Sequence, residues 1–149
     1  MISPELIRRY SLFAGLSTDH VTVLARAAEE LEVEKDFWFF RQDHELHDMY
    51  LVLEGHVGIV VELPRQEVVT NPVGAGDLFG WSGLVPPHET MAGAKALSHC
   101  RVVRFDCQSI RASFESDWRF GYLMMEKAAQ TVRQRLRDMR IEALHCYVA

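Results

Sequence analysis

The sequence has no apolar run approaching the roughly 18 residues that a membrane-spanning helix requires. Its first ten residues, MISPELIRRY, carry no apolar signal-peptide core. Cysteine is scarce: Cys100, Cys107 and Cys146 are odd in number and never spaced as CxxC. That argues against a disulfide framework and fits a reducing, cytoplasmic setting. Positive charge is also short. Sixteen Lys and Arg face 21 Asp and Glu, a net charge of -5, which argues against non-specific nucleic-acid binding. No phosphate-binding loop, dinucleotide fingerprint, Ser-His-Asp order or paired carboxylates occur. The expectation is a protein that is not an enzyme.

What is present is an ordinary globular composition, 48% hydrophobic and 25% charged over 149 residues, enough for one domain with a real core. Backbone punctuation is concentrated in residues 74–96, GAGDLFGWSGLVPPHETMAGAKA. This stretch holds Gly74, Gly76, Gly80, Gly83 and Gly93, five of the nine glycines, plus Pro86-Pro87. It reads as a tightly turned cassette, with one short helical turn inside residues 79–85 before the prolines stop it. A strand of small residues, 91–97, follows, and small side chains let a ligand approach backbone closely.

Around the cassette the hydrophobic period changes twice. Ser3-Pro4-Glu5 is a helix start, and Ser17 or Thr18 can cap a second helix. In that helix Val21, Leu24, Ala25, Ala28 and Leu31 form one stripe. From Glu32 to residue 106 short strands alternate with Gly or Pro turns. Residues 49–53 and 57–63, joined by Glu54-Gly55-His56, read as a hairpin, and 67–70 and 101–105 as further strands. Strands at this spacing predict an antiparallel β-roll, the jelly-roll class.

From Asp117 to Cys146 there is no Pro, and no Gly after Gly121. Trp118, Tyr122, Met125, Ala129, Val132, Leu136, Met139, Ala143 and Cys146 follow alternating spacings of four and three. Such a seam belongs to a helix that pairs with another helix. It outruns a small roll, so the first two turns are expected to pack on the roll and the rest to form a homodimer. Lys127, Arg133, Arg135, Arg137 and Arg140 flank the seam. They read as a solvated flank, although one arginine could reach a ligand cavity.

The two N-terminal helices, β-roll, Gly-rich cassette and long last helix together resemble the cyclic nucleotide-binding domain of catabolite-activator-type bacterial regulators. The matching landmarks are Leu12-Phe13-x-x-Leu16, Tyr50-x-Val52-x-x-Gly55-x-Val57, Gly76-Asp77-x-x-Gly80, and Ala92 on the strand leading to Cys100. The resemblance implies three parts: helices over residues 1–31, a mainly β roll over 32–106, and a dimerisation helix over 117–146. It places a candidate ligand site at Phe79, Gly80, Trp81, Ser82, Gly83, Thr90, Met91 and Ala92.

Two departures bear on the ligand. In nucleotide-binding relatives a glutamate that holds the ribose follows the glycine matching Gly80, and Trp81 stands there in this chain. The arginine that pairs with the cyclic phosphate is replaced by Thr90. The implied function is a sensory or regulatory domain with altered or lost cAMP binding, for a small-molecule or nucleotide-like ligand that is not identified, and with no cofactor. A ligand-free adaptor is the alternative. Regulators of this type continue into a helix-turn-helix domain, whereas this sequence stops at Ala149. It is expected to be a stand-alone sensor or the sensor part of a longer protein, with no DNA binding of its own.

A cupin-type metalloenzyme shares the roll shape. His44 and His47, with Asp43, Glu45 and Asp48, are a patch of metal-ligating types. The histidines are three apart in a turn, however, rather than alternating on a strand. No metal is expected there. His88 could line the pocket mouth or equally be a solvated loop residue, and Cys100 and Cys107 read as buried small hydrophobes.

Overall fold

The computed structural model describes residues 1–70 and 72–148. Helix α1 (Pro4–Arg8) and α2 (Thr18–Arg26) precede eight strands, and α3 (Cys107–Ala112) and the 31-residue α4 (Trp118–Val148) close the chain. The strands are β1 (Ala28–Val33), β2 (Trp38–Phe40), β3 (Asp48–Glu54), β4 (Val57–Leu63), β5 (Gln66–Val69), β6 (Leu78–Phe79), β7 (Gly93–Ala96) and β8 (Cys100–Asp106). They form two four-stranded antiparallel sheets, in the orders β1-β8-β3-β6 and β2-β7-β4-β5. This is the expected roll with flanking helices. No helix among the described residues is long and apolar enough to cross a membrane.

The burial of β3 explains its sequence. Met49, Leu51 and Leu53 face the helices, packing with Ile7, Phe13, Leu24, Phe105 and Phe120. Tyr50 and Val52 face the roll interior with Val57, Phe79, Ala94 and Val102. A strand covered on both sides needs a continuous apolar run, not alternation. The interior is dominated by rings: Tyr50 stacks on Phe79 at 4.9 Å, and Phe39 meets both edge-on at 5.3 and 5.1 Å.

Three expectations are corrected. The roll begins at Ala28, not at residue 32, because β1 pairs with β8 from Ala28↔Phe105 to Val33↔Cys100. Ala28 and Leu31 therefore lie on a strand, and α2 stops at Arg26. Residues 49–53 and 57–63 are not a hairpin, since β3 lies between β8 and β6 while β4 lies between β7 and β5. Gly55 makes that crossing between sheets, at φ +90, where an added Cβ would sit 2.4 Å from the His99 carbonyl oxygen. Composition shows the turn, but the partner strands lie far away in sequence. The strand at 91–97 is shorter than expected, running over Gly93–Ala96.

The face by which α4 packs differs most. Its first turns pack on the body through Phe120, Met124 and Ala128, all buried, and not through the seam. Trp118 and Tyr122 are 80% and 66% exposed. Asp117 sets this rotation: its carboxylate accepts from the Phe120 N–H at 3.1 Å and from His20 Nε2 at 2.9 Å. Those contacts hold the Asp117 carboxyl below its usual range, the Phe120 N–H contributing most. His20 also stacks on Phe120, centroids 4.8 Å apart.

Candidate ligand-binding site

The cassette folds as anticipated around one 3₁₀ turn, Trp81–Gly83, with Gly80 before it in the left-handed region at φ +83. Phe79, Gly80, Trp81, Ser82, Thr90, Met91 and Ala92 all line one cavity. Gly93 completes the cassette's share, and the other walls, Phe40, Leu46 and Ile59, come from strands and turns far off in the sequence. The cavity is about 40 Å³, against the several hundred that a nucleotide-sized ligand fills. Aromatic and aliphatic side chains occupy the space between the strands.

Gly83, expected in the site, faces away from the cavity. An added Cβ there would meet the Asp48 carbonyl oxygen at 2.7 Å and Cys107 Sγ at 2.9 Å. Only glycine lets the cassette seat against β3 and α3. Gly83→Ala is expected to cost about 1–3 kcal/mol through overpacking, lowering the thermal midpoint by roughly 2–12 °C. A circular-dichroism melt unchanged from the parent would refute this seating.

Thr90 lines the cavity, but its hydroxyl serves the fold. It donates to the Arg41 carbonyl at 2.6 Å and accepts from the His44 N–H at 3.0 Å. Backbone bonds Asp43 N–H to Thr90 O and Thr90 N–H to His44 O complete a staple between cassette and turn. Ser82 Oγ donates to the Glu89 carbonyl at 3.1 Å. The hydroxyls of the candidate site thus brace the loop.

Arg111 of α3, which carried no signal in the sequence, pins the cassette from behind. It donates to the Gly83 carbonyl and lies 2.9 Å from His88 Nδ1 and 3.1 Å from His47 Nδ1. His88 is therefore behind the cassette and not at the pocket mouth; its Nδ1 is also 2.6 Å from the Ser82 carbonyl. His47 accepts from Arg111 at Nδ1, so its Nε2–H donates to Glu45 at 2.5 Å. That hydrogen bond holds the Glu45 carboxyl below its usual range. His44 Nδ1 turns instead to the Gln42 carbonyl at 2.7 Å. Both His47 nitrogens are engaged, one of them by a cation, an environment that opposes a metal ion. Burial pushes the Cys107 thiol up to about 12, so it acts as a small apolar group.

A second cavity, about 140 Å³, adjoins the first. Ile59, Val61, Thr70, Trp81, Met91 and Ala92 form its roll side, and Arg135, Asp138 and Met139 of α4 form its roof. Arg135 is the lining residue that the sequence left among five similar basic residues. Nothing local marks it out; only the path of α4 across the roll does.

The sequence profile of the cyclic nucleotide-binding domain matches residues 30–117. Among solved structures, a protein from Geobacter metallireducens described as a cyclic nucleotide-binding protein is similar at 29% identity and TM-score 0.83, over 91% of this chain and 99% of that one. The sensor domain of the transcriptional regulator DNR from Pseudomonas aeruginosa is 20% identical with TM-score 0.71, over 90% and 91%. The catabolite activator protein of Thermus thermophilus is 24% identical with TM-score 0.69, over 97% of this chain and 63% of that one. These last two likenesses speak to fold. Among curated proteins, none matches this chain in sequence.

Proposed function

The chain belongs to the cyclic nucleotide-binding domain family, and we propose that it is a non-enzymatic sensory domain signalling through paired copies of α4. The observation that carries this reading is the division of labour on that helix. One face roofs a cavity against the cassette through Arg135, Asp138 and Met139. The other presents Trp118, Tyr122, Val132, Leu136 and Met139 to solvent, at 80%, 66%, 38%, 55% and 53% exposure. Met139 belongs to both. An apolar seam at heptad spacing is stable when a second helix covers it, and a second copy supplies the same seam. Ala129 and Ala143, exposed on the same line, leave room for close approach.

A ligand in the cavity would touch the cassette on one side and the dimer helix on the other, so its binding energy could bias how the two helices pair. This reading requires no cofactor and no metal, and assumes a cytoplasmic bacterial protein. The loss of glutamate and arginine at Trp81 and Thr90 supports altered nucleotide recognition. The 40 Å³ cassette cavity favours one competitor, a ligand-free dimerisation or adaptor module, which shares the dimer and lacks any ligand.

Sedimentation of the unmutated protein at tens of micromolar, a range suited to a standard interface, is expected to give a dimer. Leu136→Glu places two like charges across the seam and should give a monomer. A monomeric parent protein sinks the reading.

A further inference from the structure

Arg135 sits about halfway along α4, at the junction of the 140 Å³ cavity and a polar cleft that includes Leu12, Asp77 and Gln134. Its Nε is buried and has no hydrogen-bond partner among the described residues. Its Nη2 reaches the Leu78 carbonyl only at 3.4 Å. The two acids whose charge is felt at the guanidinium are Asp77 and Asp138, and both are occupied elsewhere. Asp77 accepts from the Gly74 N–H at 2.9 Å, and Asp138 from the Gln134 amide at 2.9 Å. Neither forms an ion pair with Arg135 among the described residues.

Removing part of a guanidinium from water without a directly paired counter-charge is costly. Here that cost falls beside a cavity lined mainly by apolar side chains, Ile59, Val61, Trp81, Met91 and Met139, with Thr70 and the Asp138 carboxylate as its other polar members. A space of about 150 Å³ with such walls is the size that holds a benzene ring. The rigid fork of a guanidinium matches the two oxygens of a planar carboxylate, a group compact enough to leave the rest of this volume for a ring. We infer that Arg135 and this cavity bind a small monocarboxylic acid whose apolar body is about one ring in size. The carboxylate pairs with Arg135 at the junction with the polar cleft, and the ring lies between Trp81 and Met139. The inference deepens the sensory reading and rests on it, because a ligand so placed bridges cassette and dimer helix.

The test uses the whole protein and three probes: benzoate, its uncharged amide benzamide, and acetate. Calorimetric titration is expected to show benzoate binding once per chain, with benzamide and acetate each at least about tenfold weaker, the scale of one lost charge-assisted contact or one lost ring. Arg135→Gln should abolish the preference for benzoate over benzamide. Val61→Phe, which fills the cavity and leaves the arginine, should weaken both ring compounds by at least about tenfold while the far-ultraviolet circular dichroism stays unchanged. Equal affinities of the parent protein for benzoate and benzamide overturn the assignment, as does a benzoate affinity left unchanged by Arg135→Gln. A protein that binds none of the three yet sediments as a dimer overturns the ligand class and leaves the dimeric reading standing. A monomer that binds benzoate through Arg135 does the reverse.

Discussion

Calorimetric titration with cAMP or cGMP is expected to give no saturable heat at tens to hundreds of micromolar nucleotide. A charge-assisted contact to a phosphate contributes roughly 1.5–3 kcal/mol, and the position of the family's phosphate-binding arginine is Thr90. Its hydroxyl does not stand in, because it is already bonded to the Arg41 carbonyl and the His44 N–H. The ribose contact is lost as well, since Trp81 carries no carboxylate. Together these losses amount to at least about two to three orders of magnitude in affinity, each tenfold being 1.4 kcal/mol. Volume acts in the same direction: about 40 Å³ lies under the cassette. Opening it would mean moving Trp81, Phe40 or Leu46 out of their packing. A micromolar or tighter affinity would show that Arg135, or a rearranged cassette, has taken over the phosphate, and the reading of Trp81 and Thr90 would fall with it.

Phe120→Ala is expected to be the most damaging single truncation on α4, at about 3–5 kcal/mol. The ring has no solvent exposure, stacks on His20 at 4.8 Å and meets Phe114 edge-on at 5.4 Å. It is where α4 joins α2 and the turn after α3 that carries Phe114, so its loss leaves a cavity and loosens the His20–Asp117 contact beside it. For a domain of this size the thermal midpoint should fall by roughly 6–20 °C. The comparison belongs at one fixed protein concentration, because a dimer's stability depends on it. Urea unfolding resolves the effect, and a change below about 1 kcal/mol would mean that the root of α4 is not packed on the helices in solution. Trp118→Ala, two residues away and 80% exposed, provides the contrast: its cost should appear in dimerisation rather than in the fold of one chain.

The periodicities were written locally and could be read locally. The helix start at Ser3-Pro4, the turn inside 79–85, and the uninterrupted last helix all follow from caps, glycines, prolines and the spacing of apolar residues. The seam of Leu136 and its neighbours was legible for the same reason, because a helix carries its pattern with it wherever it packs. Partnership between distant strands was not legible. The run at 49–53 reads equally well as half of a hairpin, and only the closure of two sheets assigns β3 to β8 and β4 to β7. Ala28 is a good helix residue by pattern; pairing with Phe105 makes it a strand. Likewise the residue types of the candidate site were visible, but not which way they point. Gly83 turns towards Cys107, Thr90 spends its hydroxyl on Arg41 and His44, and His88 goes behind the cassette to Arg111. Arg135 makes the point most sharply, being one basic residue among five by sequence. Its partial desolvation, and the lack of a partner for its Nε among the described residues, arise only because the rotation of α4, set by Phe120 and Asp117, carries it over the cavity beside the cassette, a long-range geometric consequence that no local pattern encodes.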